Sequence, residues 1–295
     1  MLLGLGENTY GASMTRRTLA KSVTAEGTAL HAGTKVHMTL VPAGAGTGIV
    51  FRRADLMADI PARYDVVTET NLGTVIANGD AKVGVVEHLM AAVAMAEIDD
   101  LLVTLDGPEP PILDGDALSY LTLLEGAGFK DQAAPRQAIK VLKRVEVSHK
   151  DASAALLPSD RLEYDFEIEF PTPAIGRQTY ALAFSGEAFR REIAPARTFG
   201  FVHELEMLKK MDRGHGASLD NTLAIEGDTV LNAKLMRFPD EFVRHKILDA
   251  VGDMALAGHP LIARFEGKRS GHALNNQLLR RLFADPSNYT TVNLP

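Results

Sequence analysis

The strongest constraint on how this chain can fold is an internal repeat. In the first half, Val85-Val86-Glu87-His88-Leu89-Met90 opens a helical pattern, Leu101-Leu102-Val103-Thr104-Leu105 reads as a buried strand, and Asp114-Gly115-Asp116-Ala117-Leu118 leads into a second helical pattern through Leu121, Leu123 and Leu124. In the second half, Phe242-Val243-Arg244-His245-Lys246-Ile247 opens the first pattern, Leu261-Ile262-Ala263-Arg264-Phe265 follows, and Ser270-Gly271-His272-Ala273-Leu274 leads into Leu278, Leu279 and Leu282. Each copy is a helix, strand and helix whose apolar faces need a partner to bury them. Two copies packed face to face meet that need. The expectation is an α+β fold of two similar domains, each with helices layered on a β-sheet, and a site in the seam between them. With 295 residues the chain is long enough for two cores.

Taken in order, residues 1–14 read as a loose Gly-rich extension, 15–131 as the first domain, the stretch around Asp131 to Gln137 as a linker, and 138–295 as the second domain. Val36, Met38 and Leu40 alternate with polar neighbours, as do Tyr164, Phe166 and Ile168 with Glu163, Asp165, Glu167 and Glu169, so both runs are expected as half-buried strands. Residues 197–226 have no evident match in the first copy and read as an insertion. Its Phe199, Phe201, Leu205 and Leu208 offer more apolar surface than a linker needs, as a wall for an apolar ligand would.

Composition narrows the chemistry. Cysteine is absent, which excludes disulfides, thiolate metal sites and cysteine nucleophiles, so any metal must be held by His, Asp or Glu. A net charge of −7 argues against a nucleic-acid surface. No apolar run approaches the roughly 18 residues needed to cross a bilayer and no secretory signal is evident. The expectation is a cytoplasmic protein with a small-molecule ligand, no stable membrane insertion and no obligate protein partner.

On a helix over Phe242 to Ala257, His245 and Asp249 stand at i and i+4, one above the other, at metal-ligand spacing. Asp253 continues the row with a drift of about 40° per step, placed either to bind the same ion or to orient a ligand. Glu87 and His88 open the matching helix, where an adjacent pair can divide the roles of base and ligand. Because His88 and His245 hold equivalent places in the repeat, packing the copies together brings His88, His245 and Asp249 to one point. Two imidazoles and a carboxylate leave a fourth position open, the arrangement of catalytic rather than structural zinc. His31 and His37 are expected in ordinary loop and strand roles.

Four segments in the same order carry a family resemblance: Val85-Val86-Glu87-His88-Leu89, Ala196-Arg197-Thr198-Phe199-Gly200-Phe201, Phe242 to Asp249 with Asp253, and Ser270-Gly271-His272-Ala273-Leu274-Asn275-Asn276. From about Arg16 to Phe283 the chain resembles the zinc-dependent UDP-3-O-acyl-N-acetylglucosamine deacetylases of lipid A synthesis. The resemblance implies one catalytic zinc on His88, His245 and Asp249, with Glu87 as general base. It makes His272 the support for the oxyanion and the acid for the leaving amine, Thr198 a polarising hydroxyl, and Asp253 the partner of His272. Lys246 would contact the nucleotide phosphate and Phe170 would stack on uracil, with Phe199 and Leu30 as further substrate contacts and residues 197–226 as an acyl passage. Gly73 departs from the pattern, standing where many members have cysteine, as do Ala29, Ala217 and Arg269 at their positions. A peptidase of the usual helix-borne kind would need H-E-x-x-H, which is missing. A non-catalytic sugar-nucleotide binder, its metal only stapling the domains, would need neither Glu87 nor His272.

Overall fold

A computed structural model describes residues 14–294; the expected extension lies outside the described residues apart from Met14. Each half builds a five-stranded sheet. In the first, β1 (Val23–Thr28), β2 (Lys35–Pro42), β3 (Ile49–Arg53), β4 (Ala58–Pro61) and β5 (Leu101–Leu105) lie in the order β1-β2-β5-β3-β4. In the second, β6 (Val145–His149), β7 (Ala152–Leu157), β8 (Glu163–Glu169), β9 (Arg177–Ala183) and β10 (Arg264–Lys268) lie in the order β6-β7-β10-β8-β9. The two orders are the same. So are the pairing senses: β3 with β5 and β8 with β10 are parallel, and every other neighbour is antiparallel. A parallel pair needs a long crossover, and in each half that crossover contains the histidine-bearing helix.

The helices are α1 (Glu87–Met95), α2 (Leu118–Ala127), α3 (Gly186–Glu192), α4 (Leu205–Lys210), α5 (Glu241–Ala255) and α6 (His272–Phe283). By position in the repeat α1 matches α5, and α2 matches α6. Even the backbone before the second helix of each copy repeats: Leu113 and Arg269, each three residues ahead of Asp116 and His272, have φ of 52° and 50°. No described helix is long and apolar enough to cross a membrane.

Alternation in β8 is as expected, with Tyr164, Phe166 and Ile168 buried. Phe166 stacks on Phe265 of β10 with ring centroids 5.9 Å apart, and full burial of such a side chain contributes roughly 1.5–3 kcal/mol. The helix expected over Phe242 to Ala257 begins one residue earlier and stops two residues sooner, at Ala255.

Two expectations need correction. The linker is largely strand: Phe129–Pro135 pairs antiparallel with Thr15–Leu19. The Phe129–Pro135 strand is mostly exposed, so it carries no apolar alternation by which to find it. The insertion does have a counterpart. In the second half Phe199–Phe201, Leu223–Glu226 and Thr229–Val230 form a three-stranded sheet, and in the first half Val67–Glu69, Val75–Asn78 and Ala81–Val83 form another. Both lie between the fourth main strand and the histidine-bearing helix. Strands of two to four residues are too short to reveal a period.

The halves meet where α1 packs on α5. A Cβ at Gly252 of α5 would lie 1.9 Å from the carbonyl oxygen of Glu87. Only glycine permits this approach, and it brings the N-terminus of α1 onto α5.

Candidate metal centre

At that crossing α1 contributes Glu87 and His88 in its first turn, and α5 contributes the row His245, Asp249 and Asp253. All five are buried. The His88 and His245 rings meet edge to face with centroids 5.0 Å apart. Asp249 Oδ1 lies 3.6 Å from His88 Nε2 and 3.3 Å from His245 Nε2. Bonds of about 2.0–2.2 Å in a tetrahedral shell put donor atoms roughly 3.4 Å apart, so these separations fit one shared ion.

The state of each donor fits as well. His245 Nδ1 donates to the carbonyl of Ala196 at 3.1 Å, which leaves the Nε2 lone pair facing inward. Burial pushes its pKa down to about 3, so the ring is neutral at ordinary pH. Burial alone would raise the pKa of Asp249, but the Lys246 ammonium and the imidazoles around it outweigh burial and hold it well below the usual carboxylate range. Its Oδ1 is buried and accepts no hydrogen bond among the described residues. An orphaned buried carboxylate oxygen is costly, and a cation between Asp249 and the two imidazoles removes the cost.

On the far side of Asp249 stands a second group. His272, at the start of α6, places Nε2 3.9 Å from both Glu87 Oε1 and Asp249 Oδ2. Its Nδ1 donates to Asp253 Oδ2 at 2.9 Å. Burial works against a charged His272, yet Asp253 and Glu87 prevail and raise its pKa to about 9. Glu87 moves upward too, because burial outweighs the attraction of His272 and His88. The result is the buried Glu87 carboxylate facing the half-buried His272 imidazole beside a cluster of candidate metal donors.

Comparison with known proteins agrees with this geometry. Residues 16–284 match the model of the family described as LpxC: UDP-3-O-acyl N-acetylglycosamine deacetylase. The chain belongs to this deacetylase family. Among curated relatives, the UDP-3-O-acyl-N-acetylglucosamine deacetylase of Myxococcus xanthus (strain DK1622) is 44% identical over 282 residues, 95% of this chain and 90% of that protein. Those of Pseudomonas entomophila (strain L48) and Acinetobacter baumannii (strain SDF) are 45% and 46% identical, each over 94% of this chain and over 93% and 94% of their own lengths.

Two residues in this deacetylase-family site escaped the sequence reading. Thr74 donates its hydroxyl to Asp253 Oδ1 at 2.6 Å and its backbone N–H to Glu87 Oε2 at 3.0 Å, tying the two carboxylates together. It lies in a short loop with no periodic signal. Asn275 donates to Asp253 Oδ2 at 2.8 Å; it sits inside the segment from Ser270 to Asn276, where its type alone hinted at a polar task. Next to Thr74, Gly73 has φ +144°, and a Cβ there would stand 2.9 Å from Glu87 Oε1. Val85, with φ 54°, makes the tight turn that starts α1 two residues later; such backbone costs roughly 1–3 kcal/mol.

The other expected residues are more dispersed. Lys246 donates its amine to Asp249 Oδ2 at 2.7 Å. Thr198 is half-buried, its backbone N–H on the carbonyl of Gly115 at 2.9 Å. Phe170 meets Phe199 edge to face at 5.7 Å, and Phe199 meets His245 at 6.1 Å, so an aromatic row runs to the donor cluster. The carbonyl of Leu30 accepts from Gly216 at 3.0 Å, joining a first-half turn to the insertion. His31, in a turn, is tied through Nε2 to the carbonyl of Leu72, and His37, on β2, through Nδ1 to Asp106.

Proposed function

We propose that this chain is a zinc-dependent amidohydrolase that removes acetate from UDP-3-O-acyl-N-acetylglucosamine, leaving the free amine, as a committed step of lipid A synthesis. The observation that carries this reading is the Asp249 carboxylate. One oxygen, unbonded, faces two imidazoles at 3.3 and 3.6 Å, and the other faces His272, 3.9 Å away and equally far from Glu87. His88, His245 and Asp249 would hold the ion, which supplies Lewis acidity toward the amide carbonyl and lowers the pKa of water from 15.7 toward about 7.

The chain's own groups account for the proton traffic. Glu87, made more basic by burial, takes the proton from the attacking water as oxygen bonds to the acetyl carbon. His272 starts protonated, steadies the oxygen that gains charge, and gives its proton to the nitrogen as the C–N bond breaks. Asp253 keeps that imidazole cationic and aimed, and is itself held by Thr74 and Asn275. Thr198 supplies a hydroxyl toward the same oxygen; losing one such donor costs on the order of 3 kcal/mol. Lys246 pairs with the nucleotide phosphate once substrate competes for its amine, Phe170 stacks on uracil, and Phe199 and Leu30 line the path of the acyl chain in the insertion. The reading is of a cytoplasmic enzyme with a small acylated nucleotide sugar as its partner.

The test is acetate release from UDP-3-O-acyl-N-acetylglucosamine with and without a chelator. Hydrolysis that stops on chelation and returns with zinc is expected. Tight binding of zinc and substrate with no acetate would reduce the metal to a staple between the halves.

A further inference from the structure

The row on α5 that carries the metal donors begins one turn before them. Glu241, His245, Asp249 and Asp253 follow at four-residue steps along the helix, and Glu241 is the acid of that row that neither the donor cluster nor His272 uses. It is fully buried, 0% exposed. A carboxylate held there is costly unless hydrogen bonds satisfy it, and three do. Oε1 accepts the backbone N–H of Arg197 and the Arg197 Nε–H, each at 3.0 Å, and Oε2 accepts the backbone N–H of Arg237 at 2.6 Å.

This is not the two-oxygen fork that arginine and carboxylate often make. Nε of the guanidinium shares Oε1 with the backbone N–H, and Nη2 donates to the carbonyl of Leu235 instead. The carboxylate is thus committed to two peptide groups. One of them leads to the metal centre. The Arg197 N–H and the Ala196 carbonyl are the two ends of a single planar unit, and that carbonyl accepts from His245 Nδ1 at 3.1 Å. A carboxylate on the N–H end keeps the plane from turning and makes the carbonyl end a stronger acceptor, since hydrogen bonds in a chain polarise one another.

We propose that Glu241 is a positioning residue for the metal centre, acting through the Ala196–Arg197 peptide: it holds that plane so that the carbonyl fixes His245 with Nδ1 protonated and Nε2 facing the donor cluster. The arrangement is the carboxylate–histidine pair of metal sites with one peptide interposed. The proposal rests on the reading of His245 as a zinc donor. The competing role for Glu241 is that of a plain counter-ion to the buried Arg197 side chain, and the two roles predict opposite results.

Zinc affinity of the full-length chain, measured by chelator competition, tests the proposal with two variants. Arg197→Met removes the guanidinium and leaves the carboxylate on both backbone N–H groups. It should melt lower than the parent, because a buried charge loses its counter-ion, yet bind zinc within about threefold of it. Arg197→Met combined with Glu241→Gln removes both charges; it should melt above the single variant and still bind zinc at least about tenfold more weakly than the parent. The ring N–H proton resonance of His245, read by NMR, should move upfield in the double variant as its hydrogen bond weakens and stay in place in Arg197→Met. A double variant that binds zinc as tightly as the parent overturns the proposal and leaves Glu241 a counter-ion. An equal loss of affinity in both variants also overturns it, by crediting the guanidinium. Should Arg197→Met fail to fold, the double variant decides alone, by its zinc affinity and its His245 resonance. A parent that binds no zinc overturns the deacetylase reading together with the proposal, whereas a zinc-binding parent with an unweakened double variant overturns the proposal only.

Discussion

Replacing Gly252 with alanine tests whether helix approach sets the metal site. The added Cβ would fall 1.9 Å from the Glu87 carbonyl oxygen, 2.6 Å from its carbon and 2.8 Å from its Cα. All three neighbours are backbone, so no side chain can swing aside. Restoring ordinary contact requires α1 and α5 to part by roughly 1–1.5 Å, an overpacking cost of typically 1–3 kcal/mol. His88 travels with α1 while His245 and Asp249 stay on α5, and a metal shell tolerates only about ±0.2 Å. The displacement exceeds that tolerance severalfold. Gly252→Ala should therefore remain folded, melt several degrees lower, and bind zinc at least about tenfold more weakly in a chelator competition, with acetate release falling in parallel. If the variant holds zinc as tightly as the parent and releases acetate within about twofold of it, the crossing does not position the donors and the reasoning fails.

Glu87→Gln should lower acetate release by about 10²–10⁴-fold with metal stoichiometry unchanged; a variant within tenfold of the parent removes Glu87 as the base. Because Asp253 helps hold the pKa of His272 at about 9, activity that needs its proton should decline only above that pH. Asp253→Asn should move this limb down by roughly one unit or more, and an unmoved limb assigns the acid to another group. In metal-free protein the folded pKa of His245, about 3, lies below its ordinary 6.5, so the unfolded chain binds more protons in between. Its contribution to stability is then complete above about pH 6.5 and is lost as pH falls toward 3, with Asp249 adding to the loss in the acid range. His272 acts in the opposite sense, its contribution complete below about 6.5 and lost as pH rises through about 9. Urea midpoints of the metal-free chain should peak between these windows, and His245→Asn should flatten the acid limb; an acid limb identical to the parent's rules His245 out as its source.

Under the roles proposed for Glu87 and His272, burial of the centre also has a purpose. An exposed His272 would be screened from Asp253 and Glu87, and at neutral pH would lose much of its charge. In the fold, each anion faces either a cation or a donor: Asp253 has His272, Thr74 and Asn275, and Asp249 has Lys246 on one oxygen. The other oxygen of Asp249 is the exception, and it is the one that faces both metal-site imidazoles.

What was legible in the linear chain was whatever repeats within a few residues. The 3.6-residue period set His245 and Asp249 on one face of α5, the two-residue period set Tyr164, Phe166 and Ile168 on the dry side of β8, and the recurrence of helix, strand and helix announced two like halves around facing histidines. Packing decided the rest. Asp253 stands on the same row as His245 and Asp249, and local spacing left open whether it would bind the ion. In the fold it accepts a hydrogen bond from His272, because the start of α6 lies beside it. Thr74 reaches it from 179 positions away in the chain, a separation over which sequence period carries no information. The close approach at Gly252 and the second small sheet were equally invisible. Each depends on where a distant backbone passes, and only the folded chain sets that path.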